Sequence, residues 1–173
     1  MEKFAPHIYT FILPLFMGNL VHMLIVKGNY FPSTSKPLSI AWFRPGKTYR
    51  AFIVMPLICG FTSLFFRSAL MHAANYYWSF GIGFILGVTY LIGELPNSFI
   101  KRRLGISSGQ VNQRYRIVQY IIDKTDSLFI LCIVYFFIAN ITVPMLLVLF
   151  VVSFSIHVTF SLLLLLLGIK KSF

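Results

Sequence analysis

The stretch SLFILCIVYFFIANITVPMLLVLFVVSFSIHVTFSLLLLLL, residues 127–167, decides the fold. It is almost wholly apolar and too long for one helix. At about 1.5 Å of rise per residue it would reach roughly 60 Å, about twice the hydrocarbon thickness of a bilayer. Asn140 and Pro144 offer a break. Two spans joined by a tight turn are therefore expected, at about 127–143 and 145–168. Further apolar runs lie upstream, at about 73–95, 51–66 and 4–26. The second of these is short, and the arginines that flank it, Arg50 and Arg67, suit an interface. The expectation is an all-α, polytopic membrane protein of five transmembrane helices, a single membrane domain over residues 1–173.

Composition agrees. The chain is 58% hydrophobic and its mean hydropathy is +0.82. Five helices of about 20 residues each use most of it and leave no separate soluble domain. The net charge of +11 therefore does not read as nucleic-acid binding, since no soluble fold is left to present it. Cys59 and Cys132 lie in apolar runs with neither disulfide nor zinc spacing. Residues 4–26 are interrupted by Pro6 and Pro14 and lack a small-x-small cleavage site, so they read as an uncleaved first span.

Lys and Arg set the orientation. With five spans, thirteen of the fifteen fall on one side, in the segments 27–50 and 96–126 and at the C-terminus, leaving Lys3 and Arg67 on the other. The N-terminus is expected outside, the C-terminus and both polar loops in the cytoplasm, and the protein in the cell (inner) membrane.

Only four acidic residues occur. Glu2 is terminal; Glu94, Asp123 and Asp126 all fall at the cytoplasmic boundary in this topology. A carboxylate near hydrocarbon is costly without a counter-charge, so each is a candidate functional residue. The first loop brings Lys47, Thr48 and Arg50 to the same depth. Gly46-Lys47-Thr48 is not a phosphate loop, because Ala41 stands where that motif needs glycine and no strand precedes it. Around Glu94 runs Gly93-Glu94-Leu95-Pro96-Asn97-Ser98-Phe99-Ile100-Lys101-Arg102-Arg103-Leu104-Gly105. Pro96 is expected to break the helix there, with Asn97 and Ser98 offering polar groups and Lys101, Arg102 and Arg103 binding phosphate or anchoring the topology. Asp123 and Asp126, spaced i and i+3, share one helix face. They read either as an N-terminal cap or as oxygen ligands for magnesium, which typically takes one or two carboxylates plus substrate phosphates. His7, His22, His72 and His157 show no ligand spacing and read as structural.

At Gly93 to Gly105 and Asp123 to Asp126 the chain resembles the CDP-archaeol synthase family of integral-membrane cytidylyltransferases. The run Ser98 to Gly105 is the strongest part of the likeness, and Gly46 to Arg50 a weaker part. Two departures stand out: Glu94 replaces an aspartate of the archaeal pattern, and Leu95-Pro96-Asn97 replaces a different triplet. They leave the acceptor lipid open, a bacterial-type relative included.

The resemblance implies a five-helix fold and transfer of CMP from CTP to a lipid phosphate, giving a CDP-activated lipid and pyrophosphate, with Mg2+. Glu94, Asp123 and Asp126 are then the expected metal ligands and, with Lys101, the catalytic set. Lys47, Thr48, Arg50, Asn97, Ser98, Lys101, Arg102 and Arg103 would bind substrate and nucleotide. Expected partners are CTP, a lipid phosphate acceptor and membrane lipids, with no nucleic acid and no protein partner indicated. Two other functions fit less of the sequence. A small transporter or anion-binding membrane protein would suit the intramembrane acids, but no inverted repeat is visible. A CDP-alcohol phosphotransferase would need glycine where Ser127 stands and further aspartates beyond Asp126.

Overall fold

The computed structural model describes residues 4–43, 47–66, 75–106 and 115–168, with Arg116 as backbone alone. Among the described residues there is no strand, and five long helices carry the fold: α1 Ala5–Lys27, α2 Tyr49–Phe65, α3 Tyr76–Arg103, α4 Arg116–Ala139 and α5 Val143–Leu166. Three of them, α1, α3 and α5, are long and apolar enough to cross a membrane. The helix α2 is apolar but shorter. In α4 the apolar C-terminal part is preceded by Asp123, Lys124 and Asp126 within the same helix.

Packing alternates in direction. Gly18 of α1 lies against Met55 and Cys59 of α2, and the Cys59 thiol donates to the Pro14 carbonyl at 3.2 Å. Gly87 of α3 faces Pro56 of α2, where an added Cβ would stand 2.7 Å from the Pro56 Cα. Lower on α3, a Cβ on Gly93 would stand 2.7 Å from the Ser127 Cα of α4. Small residues let these backbones approach closely, which is how apolar helices gain packing energy where lipid competes for the same surface. The seams run antiparallel, so one end of the bundle collects the C-termini of α1 and α3 and the N-termini of α2 and α4. Phe11, Met55, Leu86, Leu131 and Tyr135 fill the middle. Large apolar side chains such as Phe61, Phe129, Phe137 and Leu147 lie exposed around the outside, as a bilayer-facing surface requires.

At the opposite end from the charges, α1 widens into a π-helical turn at Ile8–Ile12. There the Tyr135 hydroxyl meets Thr10 Oγ1 at 2.6 Å and His7 Nδ1 at 2.8 Å, which ties α1 to α4.

Several boundaries differ from the sequence expectation. Pro96 does not break α3; the helix continues to Arg103 and closes on Gly105, whose φ of +77° lets Ile106 N–H reach the Lys101 carbonyl at 3.0 Å. Proline removes one backbone donor and crowds the carbonyl one turn earlier, and packed neighbours in a bundle hold such a helix together. The helix α4 starts at Arg116, well before residue 127, so among the described residues of the segment 96–126 most are helical rather than loop. Asn140, at φ +47°, and the N-terminal Pro144 make the expected turn between α4 and α5. Arg67, His72, the start of the third span at residue 73, Arg114, the turn at Pro45-Gly46 and the C-terminal lysines, for which the sequence carries expectations, fall outside the described residues.

Candidate active site

Tyr90, Glu94, Asn97 and Lys101 recur on α3 at steps of four, three and four, so they form one stripe along the helix. The face of α4 that meets this stripe carries Asp123, Asp126 and Ser127. Gly93 permits the approach at this level. The Asn97 amide then donates to both aspartates, at 2.7 Å to Asp123 Oδ1 and 2.8 Å to Asp126 Oδ2. Lys101 Nζ pairs with Asp123 Oδ2 at 2.7 Å. The second Asp126 oxygen accepts from the backbone N–H of Ser127 at 2.6 Å.

The first loop completes the site. Leu38 N–H bonds to the Lys47 carbonyl at 2.8 Å and Tyr49 N–H to the Lys36 carbonyl at 3.1 Å, a short paired stem that fixes Lys47 just ahead of α2. Lys47 forms an ion pair with Glu94. Both side chains are mostly buried, so the pair offsets a desolvation cost that either charge alone would leave uncompensated. Tyr90 lies beside Glu94 and Ser127. Arg50 is buried in the first turn of α2 and donates to the Tyr30 carbonyl at 3.0 Å.

The structure therefore joins Lys47, Glu94, Asn97, Lys101, Asp123 and Asp126, with Arg50 close by. It does not bring every candidate in. Arg102 bonds to the Ile106 carbonyl at the helix end, and Arg103 lies over the Phe99 ring at 5.1 Å. Thr48 caps α2 by position without a side-chain bond, and Ser98 takes no part in the bonds above. The capping explanation for Asp123 and Asp126 falls, since both stand inside α4 rather than at its start.

The donor set suits a hard divalent cation in a limited way. Among the described residues no three acidic, His or Cys groups gather closely enough to form a cage. Glu94 is engaged by Lys47 rather than by the amide that joins the aspartates. Asp123 and Asp126, held together by one amide, match the two carboxylates that magnesium typically takes when substrate phosphates supply the rest.

Sequence reasoning passed over Tyr90 and read His22 as structural. Tyr90 was within reach as the residue one turn before Glu94. His22 Nε2 is buried without a hydrogen-bond partner, within Coulombic reach of Glu94, Arg50 and Lys47. A lone histidine in an apolar span gives no spacing signal that would find it.

A family model described as CarS-like, CDP-archaeol synthase, matches residues 6–173, nearly the whole chain. The chain belongs to the CDP-archaeol synthase family. The match covers α1 through α5 and every residue of the charged cluster. Compared with curated proteins and with solved structures, the chain has no match. Membership in the CDP-archaeol synthase family implies a membrane-embedded, CTP-dependent cytidylyltransferase acting on a lipid substrate.

Proposed function

We propose that this protein transfers CMP from CTP to a lipid phosphate, yielding a CDP-activated lipid and pyrophosphate, at the cytoplasmic face of a five-span bundle. The observation that carries this reading is the Asn97-bridged Asp123–Asp126 pair with Lys101 and Lys47 beside it, all at one end of the bundle. An oxygen of the lipid phosphate forms a bond to the α-phosphorus of CTP. The bond from that phosphorus to the α–β bridging oxygen breaks, and pyrophosphate leaves. The nucleophile is already an anion, so no general base is needed.

Asp123 and Asp126 would hold Mg2+, which when bound would neutralise triphosphate charge. The protein's own contribution is positioning and fixed charge. Lys47 and Lys101, each now paired with a carboxylate, are the cations that an arriving triphosphate draws. Asn97 orients both aspartates, and Glu94 holds Lys47 in place. The partial burial of these groups makes each charge count for more than it would in bulk water.

The test is purified protein in detergent with labelled CTP, Mg2+ and a panel of lipid phosphates differing in linkage and chain type. A labelled CDP-lipid is the expected product. Folded protein that gives none with any acceptor refutes the reading, and a labelled product with one chain type identifies the acceptor.

A further inference from the structure

A narrow cleft lies between α1, α3, α4 and α5. Its walls are mostly apolar, with Ile12, Leu15 and Phe16 from α1 and Ile156 and Phe160 from α5. Four polar residues interrupt them: Asn19, Tyr90, Ser153 and His157. Tyr90 also lies beside Glu94, so the cleft and the cluster share a wall. Contact between α1 and α5 is sparse. They touch through the Phe16 and Phe160 rings, 4.6 Å apart, and are not among the closely packed helix pairs.

On α1 the spacing Ile12, Leu15, Asn19, His22 keeps to one face. The first three line the cleft, and His22 follows at the end where Arg50 and Lys47 stand. Three buried polar atoms here have no hydrogen-bond partner: Ser153 Oγ in the cleft lining and, beyond the lining, His22 Nε2 one turn after Asn19 and Arg50 Nε on α2. Arg50 is only 7% exposed. Buried donors left unsatisfied are costly and mark a place where a bound group supplies the missing partner.

We propose that this cleft marks the acceptor subsite: α1 and α5, in sparse contact, part along it to admit one hydrocarbon chain of a lipid phosphate, whose phosphate lies at His22 and Arg50. The proposal rests on the reaction assigned above and divides that site in two. Asp123, Asp126, Asn97 and Lys101 face the nucleotide; His22, Arg50 and the cleft face the lipid. Lys47, paired with Glu94, stands between the two. A second apolar groove, lined by Trp42, Leu95 and Phe99 with Arg103 at its edge, is the competing location. Its α3 residues lie about 180° around the helix from the Glu94–Asn97–Lys101 stripe, so it does not open on the cluster.

The experiment uses the full chain in nanodiscs and a phosphatidic acid carrying a diazirine in one tail, without nucleotide. Peptide mapping after illumination is expected to place the label on residues 13–27 and 143–166. Label confined to the Trp42–Phe99 groove, or spread evenly over all helices, overturns the proposal. This readout does not need turnover, so it stands whether or not the reaction assigned above is detected. Steady-state kinetics give the second arm. Ser153→Leu and His22→Ala are expected to raise KM for the lipid phosphate about tenfold while KM for CTP stays within about twofold. A rise in KM for CTP alone assigns His22 to the triphosphate and overturns the subsite.

Discussion

Replacing Gly93 by alanine tests whether the site depends on how closely α3 and α4 approach. The added Cβ would stand 2.7 Å from the Ser127 Cα, a backbone atom that no rotamer change moves aside. Carbon atoms rest at about 3.5–4.0 Å, so the helices must part locally by about 1 Å. That displacement falls between Glu94 on one side and Asp126 on the other, and it stretches the two Asn97 bonds of 2.7 and 2.8 Å beyond useful length. Overpacking of this kind costs about 1–3 kcal/mol of stability. A misplacement of about 1 Å at reacting groups costs about 100-fold in rate. Gly81→Ala is the comparison, because a Cβ there meets nothing within 4 Å and alanine is the better helix former. The assay is cytidylyl transfer from labelled CTP at saturating lipid phosphate, alongside thermal unfolding in detergent. Gly93→Ala with the turnover number of the parent, in a protein that melts normally, refutes the argument that this contact sets the geometry.

Three further outcomes follow from the same cluster. Asp126→Asn removes one of two carboxylates and should abolish turnover while leaving the protein extractable and folded; Mg2+ with CTP is expected to raise the melting temperature of the parent and not that of the variant. Asn97→Leu leaves Asp123 and Asp126 facing each other without a donor, so stability should fall by about 1–3 kcal/mol in chelator and recover in part when Mg2+ is added, read by thermal unfolding. Lys47→Met and Glu94→Gln should each destabilise, and the double variant should lose less than the two combined, with a coupling of about 1–3 kcal/mol in a double-mutant cycle.

The all-helical class and the common level of Glu94, Asp123 and Asp126 were legible because apolar run length is a direct readout of bilayer thickness and places the ends of successive helices together. Asn140 and Pro144 were legible for the same reason: an αL-tolerant residue followed by a helix-starting proline punctuates a run too long to be continuous. Pro96 misled because proline's effect is local, one missing donor, whereas the continuity of α3 depends on neighbours that composition does not reveal. Asp123 and Asp126 looked like the start of a helix because the apolar run begins after them. The preceding turns, with Ile117, Val118, Ile121 and Ile122 among polar residues, read as loop. Arg102 and Arg103 were indistinguishable from Lys101 by charge, yet helical rotation sends the three to different surroundings. His22 and Tyr90 stayed hidden because their importance lies in what α2 and α4 bring beside them.

The wide turn at Ile8–Ile12 has a bearing on how this chain tolerates change. A π-helical turn stores one extra residue without altering the register that follows it. The segment ahead of Leu13 can therefore take up a residue while the face bearing Asn19 and His22 keeps its register, and the bonds of His7 and Thr10 to Tyr135 pin its far end. Single-residue insertions and deletions should accumulate before this joint in the chain's descendants and be purged after it.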